Sequence, residues 1–134
     1  MEISAKRMRG ELLQRVEELS GQAVFSCNQC GKCSGGCPIA AEMDLLPNQV
    51  IRLIQLGQED RALNSRTIWL CASCLTCDSR CPRGIDISRI MESLRVMRLR
   101  KGLDFLDIPK ISPEFLTLAP QQAFVSGFRK YAAY

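Results

Sequence analysis

Cys27, Cys30, Cys33 and Cys37 form a tandem run closed by Pro38, and the same run returns 44 residues later as Cys71, Cys74, Cys77 and Cys81, closed by Pro82. All eight cysteines of the 134-residue chain lie in these two copies. Each copy reads C-x2-C-x2-C-x3-C-P, the spacing that holds four-iron four-sulfur cubes in two-cluster ferredoxins. In such proteins the fourth cysteine of each run binds the other cube. Three closely spaced thiolates cap one face of a cube, and the fourth corner points away. One cube is therefore expected on Cys27, Cys30, Cys33 and Cys81, and a second on Cys71, Cys74, Cys77 and Cys37. Crossed ligation staples the two halves of the chain together and holds the two cubes close.

Zinc and disulfides are the competing uses of these thiols. Structural zinc pairs two separated C-x2-C knuckles, not three cysteines in tandem with a fourth before proline. Disulfides belong to oxidising compartments. The N-terminal stretch MEISAKRMRGELLQRVEEL is charged throughout and has no apolar core of a secretory signal. A cytoplasmic location is expected. No run of about 18 apolar residues exists, so no membrane-spanning helix is expected.

The chain contains no histidine. That removes histidine-ligated haem, Rieske-type ligation and mixed Cys/His zinc sites. It also removes the commonest general acid–base side chain. The composition therefore points to electron transfer rather than to catalysis by the chain's own side chains. The net charge of +4 is concentrated in residues 82–102, where Arg83, Arg89, Arg95, Arg98, Arg100 and Lys101 outnumber Asp86 and Glu92. A solvated helix face is expected there, with partner docking as the second use. No aromatic residues interleave these charges, which argues against nucleic acid.

Apolar spacing places helices between the runs. Met8, Leu12, Val16 and Leu19 mark a helix over about Ile3–Leu19, stopped by Gly21. Pro47 suits the first turn of a second helix carrying Leu46, Val50, Leu53 and Ile54, and Gly57 suits its end. A short helix is expected from Gln58 to about Asn64. A long helix follows the second run, capped by Asp86 or Ser88, with Ile87, Ile90, Met91, Leu94 and Met97 inward and Gly102 at its end. Shifting the sequence by 44 superposes Met43 on Ile87, Leu46 on Ile90, Val50 on Leu94 and Leu53 on Met97. The unit is a cysteine run plus a helix, used twice, with pseudo-twofold symmetry expected. No strand alternation with hairpin signals is present. Trp69 is expected as a core side chain beside Cys71, and Gly31, Gly35 and Gly36 as bends around a cube. Beyond residue 102 the pattern breaks at Pro109, Pro113 and Pro120. Residues 103–134 are expected to form an irregular aromatic tail packed on residues 1–102 or on a partner.

The stretches CNQCGKCSGGCP, PNQVIRLIQLG and IWLCASCLTCDSRCPRGIDISRIMESLR resemble the C subunit of heterodisulfide reductase. The resemblance covers about residues 25–101, including the Trp two positions before the second run and the Cys-Pro-Arg-Gly that closes it. It implies an all-α ferredoxin fold built around two 4Fe-4S clusters. It also implies an electron-transfer subunit, not itself the catalyst, that relays electrons from a flavin- and cluster-bearing subunit (A-like) to a cysteine-rich, disulfide-reducing subunit (B-like). The chain has no adjacent Cys-Cys pair, a motif of the catalytic subunit, and no dinucleotide fingerprint. Related modules serve glycerol-3-phosphate, glycolate and succinate dehydrogenases, so a relay subunit of another dehydrogenase is the alternative.

Overall fold

The computed structural model describes residues 8–100, 102 and 104–132, which contain helices and turns and no strand. The all-α fold expected from the spacing is what forms. The chain divides into two units, Met1–Leu94 and Arg95–Tyr134. The division falls inside a helix rather than after residue 102.

In the first unit, α1 (Glu11–Ser20) ends at Gly21, whose left-handed backbone (φ 67°) lets its N–H reach the Glu17 carbonyl at 2.8 Å. Leu12 and Val16 of the expected stripe are buried with Leu13 beside them, whereas Leu19 is exposed. Of the helix expected from Ile3, residues 3–7 lie outside the described residues. A short helix in each cysteine run follows: α2 (Lys32–Gly35) in the first and α6 (Thr76–Arg80) in the second. Between them lie α3 (Pro47–Gln55), α4 (Glu59–Leu63) and α5 (Thr67–Leu70). Pro47 opens α3, where a missing N–H costs nothing, and Gln49 reaches back to accept the Leu46 N–H at 2.8 Å.

Helix α3 is the hub. It packs on α1, on the turn Val24–Ser26, on α2 and on α4. Its inward side chains Val50, Ile51 and Ile54 meet a core in which Val16, Val24, Ile68, Ile90 and Leu94 are also fully buried. Each such aliphatic side chain contributes about 1.5–3 kcal/mol on leaving water. Helix α7 (Ile87–Leu99) begins at Asp86, whose carboxylate accepts the N–H groups of Ser88 (2.8 Å) and Arg89 (3.3 Å). Asp86 is thus the cap, and Ser88 is one of the capped residues. Ile87, Ile90, Met91, Leu94 and Met97 are all buried, as their spacing predicts. Trp69 is buried too, at 3% exposure.

The basic segment departs from expectation. Arg95 is only 3% exposed, so the expected solvated face does not include it. The periodicity explains this: Arg95 follows Met91 by four positions and shares its face of the helix. Arg83, Arg89 and Arg100 are exposed, Arg98 is half-buried, and Lys101 lies outside the described residues.

In the second unit the tail is helical rather than irregular. Helix α8 (Pro113–Leu118) and helix α9 (Gln121–Tyr131) begin at the prolines that were expected to break the pattern. Pro113 occupies the first helical position, and Ser112 before it accepts the Phe115 N–H at 3.2 Å. Phe115 meets Phe124 edge-on at 5.9 Å, Phe124 meets Phe128 at 6.2 Å, and Phe105 meets Tyr131 at 5.7 Å. Even so, Phe105, Phe115, Leu116, Leu118 and Val125 remain exposed.

Candidate iron–sulfur centre

The backbone of each cysteine run is bent at the same places. Gln29 (φ 58°) and Gly31 (φ 76°) are left-handed in the first run. Ser73 (φ 52°) and Leu75 (φ 61°), 44 residues on, are left-handed in the second. Cys30 and Cys74 sit between the paired bends. Each second bend leads directly into a short helix, α2 or α6. A left-handed residue followed by right-handed ones gathers successive N–H groups on one side, a concavity that attracts anions and recurs at iron–sulfur sites. Gln29, Ser73 and Leu75 are the only non-glycine residues among those described with positive φ. Side chains at such positions cost about 1–2 kcal/mol each, and here that strain is confined to the cysteine runs.

Of the glycines expected to bend around a cube, Gly31 alone has positive φ. Gly36 serves another purpose. A methyl group there would come within 2.6 Å of the Arg80 guanidinium, so Arg80 lies directly over the Gly36 backbone. Residues 36 and 80 are equivalent positions of the repeat, each preceding the last cysteine of its run. Helices α2 and α6 pack on each other there. Gly35 has open space around it.

Two concavities follow from this packing. The first, cavity A, is lined by Cys27, Cys30, Cys33 and Cys81, together with Asn28, Lys32, Asn48 and Arg83. The second, cavity B, is lined by Cys37, Cys71, Cys74 and Cys77, together with Ile39, Met43, Pro47, Met91 and the hydroxyl residues Ser73, Thr76 and Ser88. Each wall thus gathers three cysteines of one run and the fourth cysteine of the other. Ile87 lines both cavities, so they adjoin across one side chain. No three His, Cys, Asp or Glu side chains among the described residues gather closely enough for a single metal ion. An all-cysteine donor set on each wall and left-handed backbone bends beside it suit a 4Fe-4S cube. None of the eight cysteines is in a disulfide.

The thiols differ in their surroundings. Burial first, and then the neighbouring Cys71, push Cys77 up to about 11. Burial likewise raises Cys33, whereas the Thr76 hydroxyl, 3.4 Å from the Cys74 sulfur, lowers exposed Cys74.

Polar contacts outside the cysteines tie the runs to the rest of the fold, and sequence reasoning passed over them. Gln55, buried in the hub helix, donates to the carbonyls of Val24 and Cys27, both at 3.1 Å. Asp44 accepts the N–H groups of Arg66 and Thr67 at 2.9 Å and the Thr67 hydroxyl at 2.8 Å, so it caps α5, the helix that leads into Cys71. Partial burial acts to raise the Asp44 carboxyl, but these donors outweigh it and hold it below the usual range. On the other side of the repeat, the Gln22 side chain accepts the Asp86 N–H at 2.9 Å, and Arg83 donates to the Ser26 carbonyl at 3.1 Å. Each run is therefore tied at its approach by the segment that follows the other run. Trp69 lines neither cavity.

Residues 23–85 match the family described as the 4Fe-4S dicluster domain. The iron–sulfur C subunit of the CoB–CoM heterodisulfide reductase of Methanopyrus kandleri is 37% identical over 93 residues, covering 69% of this chain and 48% of that protein. The C subunit of the ferredoxin:CoB–CoM heterodisulfide reductase of Methanosarcina mazei is 39% identical over 94 residues, covering 69% of this chain and 56% of its own length. The second iron–sulfur C subunit of the Methanocaldococcus jannaschii enzyme is 38% identical over 81 residues, covering 60% and 43%. The chain spans about half the length of the curated relatives it matches. No helix among the described residues is long and apolar enough to cross a membrane. Residues 23–85 thus carry the 4Fe-4S dicluster domain, and over 69% of its length the chain is similar to the C subunits of heterodisulfide reductases.

Proposed function

We propose that the chain is an electron relay holding two 4Fe-4S cubes, the first on Cys27, Cys30, Cys33 and Cys81 and the second on Cys71, Cys74, Cys77 and Cys37. The observation that carries this reading is the crosswise grouping of the cysteines around cavities A and B. When bound, each cube supplies a one-electron couple. The protein's part is to hold the sulfurs and to shape the field. Gln55 fixes the carbonyl of Cys27, and Asp44 fixes the helix before Cys71. The left-handed turns at Gly31 and Leu75 bend the backbone after Cys30 and Cys74. Ile87 keeps water out of the space where the cavities adjoin. No side chain of the chain is asked to make or break a bond.

In this reading the cytoplasmic relay serves a heterodisulfide reductase-like complex. It receives electrons from a flavin- and cluster-bearing subunit and passes them to a cysteine-rich subunit that reduces a disulfide. The exposed aromatic and aliphatic face of α8 and α9 supplies the apolar contact for such a partner. Aromatic anchors carry more binding energy than rim charges. Anaerobic titration with dithionite should bleach the visible absorption of the chain, and reoxidation should restore it. Irreversible or absent bleaching would contradict the relay. Deleting residues 103–134 should release the chain from its complex with both cubes retained, and co-purification at full stoichiometry would remove the tail from the interface.

A further inference from the structure

The repeat places equivalent residues on the walls of the two cavities, and their charges differ. Lys32 on the wall of cavity A corresponds to Thr76 on the wall of cavity B, and Arg83 corresponds to Ile39. Asn28 corresponds to Ala72. The Arg83 side chain is anchored, since its Nε donates to the Ser26 carbonyl next to Cys27. Among the described residues, no carboxylate lines cavity A and no charged side chain lines cavity B. Asp86, the cap of the helix that carries Ser88 and Met91 of cavity B, is partly offset by Arg89 at 3.6 Å. Sulfur has polar neighbours in both cavities: Gln29 donates to the Cys27 sulfur at 3.5 Å and the Ser34 hydroxyl lies 3.9 Å from the Cys33 sulfur in A, and Thr76 lies 3.4 Å from the Cys74 sulfur in B. Arg80 adjoins both cysteine sets, since it lies over the Gly36 backbone beside Cys37 and precedes Cys81, so the charges on the walls are the main difference between the two cavities.

We infer that Lys32 and Arg83 make cavity A the electron-accepting end of the pair, giving its cube the higher reduction potential. The inference rests on the two-cube reading above. An extra electron makes a cube and its thiolates more anionic, and nearby cations stabilise that state more than the oxidised one. With both cubes bound on the cysteines named above, one electron would pass from the cube of cavity B, oxidised by one unit, to the cube of cavity A, reduced by one unit. No bond forms or breaks and no proton moves. An external iron–sulfur centre of lower potential supplies the electron at B, and a one-electron acceptor of higher potential removes it at A. Lys32 and Arg83 touch no reacting bond, so they are tuning residues.

The experiment is a potentiometric titration of the intact chain, followed by electron paramagnetic resonance, with iron and sulfide measured on the same samples. The wild-type chain should show two midpoints. Lys32 and Arg83 are both exposed, but Arg83 also ties the approach to Cys27, so K32T alone is titrated beside K32T/R83I and should lower the same upper midpoint with both cubes retained. That double variant should lower the upper midpoint by about tenfold in the reduction equilibrium, about 59 mV for one electron, and leave the lower one in place. The reciprocal T76K should raise the lower midpoint, and R83K should leave the upper one near wild type. Two intact cubes whose lower midpoint responds to K32T/R83I, or whose midpoints both stay fixed, would overturn the inference while sparing the relay. A wild-type chain without two cubes would overturn the relay reading and the inference together.

Discussion

In the run from Cys27 the left-handed residues are Gln29 and Gly31, and in the run from Cys71 they are Ser73 and Leu75, at the same places 44 residues on. The short helices α2 and α6 follow at the same offset. Around these matching backbones the side chains have diverged. Cavity A carries Lys32, Arg83, Asn28 and Asn48, whereas cavity B carries Ile39, Met43, Ala72 and Met91. What the two halves retain is what holding a cube demands of the backbone, even where a leucine must take the conformation of a glycine. What they do not retain is the wall chemistry, which sets how readily each site accepts charge.

The largest effect should come from exchanging the shared corners. C37S should damage the cube held by Cys71, Cys74 and Cys77, and C81S the cube held by Cys27, Cys30 and Cys33. Each variant should lose about half of its iron, as loss of one of two four-iron cubes requires. Loss confined to the cube of the mutated run, seen by spectroscopy of each variant, would break the crossed assignment.

A smaller effect is expected in the core. Val50 and Leu94 are equivalent positions, and both are fully buried. L94A should cost about 2–5 kcal/mol, as other large-to-small core changes do. V50A removes less volume and should cost less. Chemical denaturation of the cube-loaded protein measures both, and a negligible cost at either site would deny that half a shared core.

Opposite signs are expected at the matched bends. Gly31→Ala places a side chain in open space but at φ 76°, so it should cost about 1 kcal/mol through the backbone alone. Leu75→Gly relieves the same strain and should gain about 0.5–1 kcal/mol, since the added freedom of glycine in the unfolded chain offsets part of the relief. Equal signs in denaturation would mean that the two runs are not bent alike in solution.

The smallest effect concerns pH. Asp44 has a lowered folded-state pKa, so its contribution is present above the ordinary carboxylate range of about 4 and is lost as pH falls through the folded value. D44N should flatten the acid limb of the stability curve. An unchanged acid limb would remove Asp44 as the anchor of α5.

Much of this was legible in the sequence because ligand spacing and apolar periodicity are local signals. The doubled run, the stripe from Ile87 to Met97, the stops at Gly21 and Gly57 and the burial of Trp69 all follow from them. Three features were not. The helices of the tail were hidden because Pro113 and Pro120 look like breaks, yet proline is favoured where a helix begins. The burial of Arg95 was hidden by its charge, although it shares a face with Met91. The ties of Asp44, Gln22 and Gln55 join residues 22 to 64 positions apart, and no local pattern announces them. One signal was available: the 44-residue shift pairs Gly31 with Leu75, and a repeated backbone would have to give the leucine the conformation of the glycine.

The central claim is that these eight cysteines hold two cubes. Metal and acid-labile sulfide analysis of the anaerobically purified chain tests it most directly. The account predicts about eight iron and about eight sulfide atoms per chain, the content of two four-iron cubes. Stoichiometric zinc with little sulfide would contradict it.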